Sequence, residues 1–303
     1  MMNKLDGNHN DNKPKKTIKI ATNFPSSLNT LQSTKHLIED GYILEVISEA
    51  ELKEKYQITC NDALKEGLVD VSISNNYHTM NSYNDFAATD EETKLTMVQP
   101  FFHPRYGLYV HQKNPLKLQS VEDVKKHKNL RLLFAPFNDL FAAPCDFSRS
   151  LLLLNNLKLV KIDEEVIKAK GYNLNLDDIE NIYDLDFVKT NNLFKVVELF
   201  TDPTKYDLSI NCPGFMRKNT DFKRIGTVSP EEQENNIVFS SYAIILASRK
   251  NNQDDEKVQA VKRFLKHEQV QKTMFEAGGP GKDYVMVQNP DKLKADILAN
   301  FEK

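Results

Sequence analysis

The chain has 303 residues, 40 Lys and Arg against 43 Asp and Glu, a net charge of -3 and a pI near 6.2. That length suggests one large or two medium domains, each able to bury its own core, and the balanced charge excludes the general basic footprint of a nucleic-acid binder. No segment approaches the roughly 18 apolar residues of a membrane span, and the odd, widely spaced Cys60, Cys145 and Cys212 fit neither a disulfide framework nor a metal cluster.

Residues 1 to 14 are polar, lack the apolar core of a signal peptide and read as a disordered tether. Either the protein is cytoplasmic or a targeting segment lies outside the chain. The basic clusters Lys13 to Lys19 and Lys125 to Lys128 are short and read as solvated surface. TIKIA, with Ile18 and Ile20 on one face, predicts a first strand; SSLNTLQSTKHLIEDG predicts a Ser-capped helix closed by Gly41. YILEVIS is a second strand, Asn61 to Glu66 a short helix before Gly67, and VDVSIS a third strand. This alternation points to a parallel sheet covered by helices, where ligands gather at the carboxyl ends of the strands. NNYHTMNSYND follows the third strand directly and is where a ligand would be met.

A second alternating unit starts near Tyr106, with GLYVHQKN a strand, VEDVKKH a helix, LRLLFAP a strand and SRSLLLLNNL a helix. Glu164 to Asn192 reads as loops with a short helix, KVVELF and YDLSIN as strands, and IVFSSYAIILASR as one long strand-type run. A single amphipathic helix, DEKVQAVKRFLKHEQVQKTMFEAGG, carries Val258, Val261, Phe264 and Leu265 on one face and stops at Gly278.

Enzyme motifs are largely missing. GGPGK lacks the first glycine of a phosphate loop, and Asp283 stands where Ser or Thr would hold magnesium, so it reads as a helix-stop turn. Asp177 to Asp186 lacks the glycine and closing Glu of a calcium loop, and no HExxH, GxSxG or CxxC occurs. Nothing calls for a metal or cofactor. One local feature does suggest recognition: a polar loop with Asn138 leads to a helix carrying Arg149 in or near its first turn. A cation there is mildly unfavourable against the helix dipole unless an anion sits beside it. Free backbone N–H groups and a guanidinium fork would suit a carboxylate. Solvation of Arg149, or pairing with Asp146, is the alternative.

The order IKIA, EDGYILEVIS, NNYHTMNSYND, YGLYVHQKN with SVEDVK, FND before SRSLLLLNN, YDLSIN and SSYAIILASR resembles the methionine-binding lipoproteins of the NlpA/MetQ type, substrate-binding subunits of ABC importers. The resemblance spans Lys15 to Val287. It implies an α/β fold of the periplasmic-binding type II, with two lobes closing on an amino acid and crossovers near His103 to Tyr109 and Val238 to Arg249. The lobes would be residues 15 to 105 with 240 to 303, and residues 106 to 239.

Position by position, the resemblance implies that Asn138 and Arg149 hold the ligand carboxylate, that Asn211 meets the amine, and that Tyr77 and Tyr242 line the side-chain pocket. The loop between Asn138 and Arg149 is about four residues longer than the family's, with Leu140, Phe141 and Ala142 in place of Pro-Thr-Asn. Met80 occupies the family's ligand-facing His position, Ile244 replaces Asn in Tyr-Ala-Asn, and Pro213 replaces the second Asn after Asn211. Either His78 or His103 takes over the lost contacts, or the ligand has changed toward an apolar amino acid or short peptide. The implied protein is an extracytoplasmic monomer serving an ABC permease, without nucleic acid. It would be held to the membrane through a lipid on a Cys preceding the chain, since no Cys precedes Cys60. Two other readings stand beside it: an enzyme on the same fold, using Cys145, Cys212 or His78, or a surface adhesin or antigen that has lost the ligand.

Overall fold

The computed structural model describes residues 13–88, 90–135, 145–170 and 173–302. The tether expected over residues 1 to 14 thus lies outside them except for 13 and 14, and so does Asn138.

Among the described residues eleven strands form two sheets. β1 (Lys16–Thr22), β2 (Tyr42–Ser48), β3 (Val71–Asn76) and β4 (Leu95–Pro104) belong to the first, β5 (Gly107–His111), β6 (Arg131–Phe134), β7 (Asp186–Lys189), β8 (Leu208–Asn211) and β9 (Phe222–Thr227) to the second, and β10 (Ile244–Arg249) and β11 (Tyr284–Met286) return to the first. The six-stranded order is β11-β4-β10-β3-β1-β2, with β1 parallel to β2 and β3, and β10 antiparallel to β3 and β4. In the five-stranded sheet, β7-β6-β8-β5-β9, β6 runs parallel to both neighbours and β5 antiparallel to both of its own. The chain therefore passes between sheets twice. Arg105 and Tyr106 make the first crossover, and residues 228 to 243 the second.

Each sheet buries apolar strand faces against helices. Ile18, Ile20, Val71, Ile73 and Leu246 pack on Val258, Val261, Phe264 and Leu265 in one sheet, and Leu108, Leu132, Phe134 and Ile210 pack on Leu151 to Leu154 in the other. At about 1.5–3 kcal/mol per large apolar side chain, these clusters are the main stabilising term.

Five local expectations are corrected. The first helix, Pro25–Thr34, is not Ser-capped: Phe24 is the N-cap, Pro25 supplies the preset φ of a first helical residue, and the end tightens into a 3-10 turn before Gly41. KVVELF is helical within Leu193–Phe200, because Asn192 caps it by accepting from the Lys195 N–H, and Val196 and Phe200 bury one face at i, i+4. Two adjacent Val residues had favoured a strand; cap and burial outweigh them.

IVFSSYAIILASR divides into a helical turn, Ile237–Ser240, capped by Asn236, and β10. The C-terminal amphipathic stretch breaks at His267, which caps a second helix, Glu268–Glu276, after Glu256–Leu265 ends. Polar Asp186 to Lys189, read as loop, adds an edge strand beside β6, and Glu49–Tyr56 forms a helix through a Ser48/Glu51 capping box.

Candidate functional site

The helix Cys145–Asn156 begins with Asp146 in its first turn, where its charge complements the helix dipole. Arg149 follows one turn later rather than at the helix start. Its guanidinium donates to the Asp146 carboxylate at 2.6 Å, and both side chains are buried. Of the two alternatives weighed from sequence, pairing holds and solvation does not.

Arg149 is clamped between two rings. Its guanidinium carbon lies 3.9 Å from the Tyr106 ring centre and 4.2 Å from that of Tyr242. These tyrosines come from the two crossovers, so one cation of the second sheet's helix is gripped by both connections between sheets. The Tyr106 hydroxyl contacts Ser150 Oγ at 3.2 Å, and Ser150 Oγ donates to the Asp146 carbonyl at 2.9 Å, which fixes ring and helix turn together. Burial opposes the charge on Arg149, yet Asp146 holds its pKa above the ordinary value. Its buried Nε has no hydrogen-bond partner among the described residues.

His78 extends the cluster on the first sheet's side. Its ring lies 5.0 Å from Tyr242, 4.9 Å from Phe301 of the C-terminal helix Pro290–Phe301, and 5.7 Å from Tyr77. Nε2 is 2.8 Å from Ser241 Oγ, which itself donates to the Val238 carbonyl at 2.7 Å. Since a hydroxyl has one proton to give, Ser241 accepts and His78 Nε2 donates. Burial, reinforced by the nearby Arg149 charge, pushes the His78 pKa down to about 3, so the ring is neutral near pH 7.

The structure thus brings Arg149, Tyr242 and His78 together, with Tyr77 edge-on to His78. Met80 sits within Tyr77–Ala87 among Leu52, Leu64 and Val69, and Ile244 packs with Val71, Phe102 and Leu246. Both belong to hydrophobic cores. Asn211 is fully buried at the end of β8, where its amide donates to the Leu193 carbonyl and accepts from the Cys212 N–H. His103 stands at the end of β4 and lines a cavity of 290 Å³ with Ser240, Gln288 and Lys292; burial pushes its pKa down to about 4. Arg149 is not among that cavity's walls.

Sequence reading missed Tyr106, Ser241 and Phe301 as parts of the cluster. Only Asp146 carried a local signal, the i, i+3 spacing to Arg149. The thiols give no sign of activation. Burial raises the Cys212 pKa despite the Arg149 charge, and Cys60 is raised by burial and by Glu49; the Cys145 side chain lies outside the described residues. Among the described residues no group of three or more His, Cys, Asp or Glu could hold a metal, and no helix is long and apolar enough to cross a membrane.

No protein-family profile and no curated protein sequence matches the chain. Solved structures do. A candidate methionine-binding lipoprotein from Bacillus subtilis is 19% identical, with 90% of this chain and 99% of that one covered and a TM-score of 0.65. A YaeC-family lipoprotein from Enterococcus faecalis is 19% identical over 90% of this chain and 99% of that one, with a TM-score of 0.63. A periplasmic substrate-binding protein of an ABC transporter from Coxiella burnetii is 16% identical over 89% of this chain and all of that one, with a TM-score of 0.62. The fold is that of the two-lobed type II periplasmic-binding proteins, and these neighbours are of the kind that the motif order resembles.

Proposed function

We propose that the chain is an extracytoplasmic solute-binding protein that delivers a small zwitterionic ligand, methionine or a related amino acid or short peptide, to an ABC permease. Its lobes are residues 15 to 105 with 240 to 303, and residues 106 to 239; a lipid anchor tethers it as a monomer. One observation carries this reading: the buried Arg149 lies between tyrosines of both crossovers, with Nε unpartnered among the described residues. A ligand carboxylate bound there would touch both lobes at once. Recognition, with no chemical turnover, is what such a cluster performs.

The Arg149–Asp146 pair favours a second reading, a surface protein that kept the scaffold and gave up the ligand, because the cation already has a carboxylate. Calorimetry with L-methionine, other apolar amino acids and dipeptides separates the two. Binding that disappears in Arg149→Gln supports transport; absence of binding across the panel, with nothing co-purifying by native mass spectrometry, supports the second.

A further inference from the structure

The GGPGK turn is absorbed by neither the ligand cluster nor a phosphate site, yet it is gripped from the other lobe by two arginines. It leads from the helix Glu268–Glu276 into β11, both in the lobe of the six-stranded sheet. From the other lobe, Arg217, just after the helical turn Pro213–Met216, places Nη2 2.7 Å from Asp283 Oδ2 and donates through Nη1 to the Ala277 carbonyl at 2.8 Å. Arg224 of β9 places Nη1 2.7 Å from Asp283 Oδ1 and donates through Nη2 to the Gly281 carbonyl at 2.7 Å. At the first crossover, the Arg105 N–H donates to the Asp283 carbonyl at 2.8 Å and its Nη2 to the Val228 carbonyl at 3.1 Å. Asp283 thus has a guanidinium within ion-pair distance of each carboxylate oxygen, though Arg224 Nη1 lies outside hydrogen-bond geometry, and its carbonyl accepts from the Arg105 N–H.

The clasp is built into the backbone on both sides. A Cβ on Gly107 would come within 2.6 Å of Arg224 Cδ, and one on Gly278 within 3.0 Å of the Asp283 and Tyr284 nitrogens. Glycine at each position leaves the space that the arginine and the turn occupy. The Arg224–Asp283 pair is largely withdrawn from solvent, with the Asp283 side chain 14% exposed and that of Arg224 16%, whereas that of Arg217 is 34% exposed, so salt screens the first pair less than the second.

We propose that Asp283 is a positioning residue: held by Arg217 and Arg224, it fixes the angle between the lobes. This depends on the fold and on the clasp, and not on the identity or existence of an amino-acid ligand. Two carboxylate oxygens shared by two guanidinium groups define a geometry that neither pair alone would.

The test is the interlobe distance in the ligand-free full chain, measured by pulsed electron resonance between spin labels on ketone-bearing unnatural residues at positions 54 and 168. These positions are exposed, one in each lobe. The parent is expected to show one narrow distribution at the interlobe distance of the structure, and Asp283→Asn a broader one displaced by several ångströms. Arg217→Gln should reproduce the shift, Arg217→Lys should largely restore the parent's distance, and circular dichroism should show all three folded. If Asp283→Asn fails to fold, Arg217→Gln decides. A broad distribution in the parent or one away from the structure's distance, an unchanged one in the variants, or equal broadening in Arg217→Lys and Arg217→Gln would overturn the proposal. Because no ligand is added, failure here leaves the solute-binding reading untouched.

Discussion

The carboxylate of Asp146 stands 2.6 Å from the guanidinium of Arg149, three residues on in the same helix, and neither side chain is more than 6% exposed. Within the proposed site the cation is therefore already neutralised by a group of the chain itself. An incoming carboxylate would have to use a guanidinium N–H other than the one given to Asp146, such as Nε, which has no partner among the described residues, or displace Asp146 and leave that charge buried. Arg149 is also held by Tyr106 and Tyr242, so the cluster is both the candidate recognition point and a junction of the two crossovers.

Asp146→Asn should separate these roles. Removing one partner of a buried ion pair leaves the other uncompensated, at a cost of about 3–5 kcal/mol, with the lower end expected because Asn still accepts a hydrogen bond. The melting temperature should fall. A ligand carboxylate would then meet an unneutralised Arg149, so millimolar L-methionine should raise the melting temperature of Asp146→Asn more than that of the parent. Equal ligand shifts in parent and variant would remove Arg149 from the ligand's path.

The pH dependence of stability follows from two of the buried imidazoles. His78 is pushed down to about 3 and His103 to about 4 from an ordinary value of 6.5, so below pH 6.5 the unfolded chain takes up protons that the folded chain refuses. Stability is full above pH 6.5 and is lost as pH falls toward those lowered values, each histidine contributing about 2–3 kcal/mol of loss between pH 6.5 and 4.5. Urea denaturation at pH 7.0, 5.5 and 4.5 measures it. His78→Phe should flatten the acid slope, whatever its stability at pH 7; an unchanged slope would mean that His78 is protonated in the folded state.

The glycine beside the clasp gives a stability test of its own. In Gly107→Ala the new methyl would overlap Arg224 Cδ, 2.6 Å away, so either Arg224 leaves Asp283 or β5 shifts against β9. A loss of about 1–3 kcal/mol is expected, in the range of overpacked positions. Gly107→Ala combined with Arg224→Ala should recover part of it, since the clash is removed. Additive losses in the double variant would place the strain elsewhere.

Period and punctuation made the βα alternation of the first lobe legible: Ile18 and Ile20 alternate along β1, and Gly41 and Gly67 sit at positive φ where the chain turns. Where reading failed, composition and context disagreed. Val196 and Val197 favour a strand locally, but the Asn192 cap and burial of Val196 and Phe200 make a helix; Asp186 and Lys189 look like loop, but backbone pairing with β6 needs no apolar side chain. The cluster was legible only where residues lie near one another in sequence. Asp146 and Arg149 do, whereas Tyr106, His78 and Phe301 reach it through crossovers and the C-terminal helix, and no local pattern marks that meeting.

The last prediction concerns Met80, where the resemblance implies a ligand-facing histidine. Met80 is 2% exposed and packs in an apolar cluster with Leu52, Leu64, Val69 and Tyr83, while the nearby imidazole that meets Tyr242 is His78. If a histidine at position 80 were needed to hold methionine, Met80→His would raise the affinity for it. The packing predicts the opposite: an imidazole replacing an apolar side chain in that cluster must be desolvated, and burying it should cost about 1–3 kcal/mol with no gain in affinity. Chemical denaturation and calorimetry with L-methionine on Met80→His and Met80→Leu provide the comparison. Met80→Leu should cost less than about 1.5 kcal/mol, as volume-conserving apolar exchanges do. Tighter methionine binding by Met80→His at parental stability would show that position 80 faces the ligand and that the core assignment is wrong.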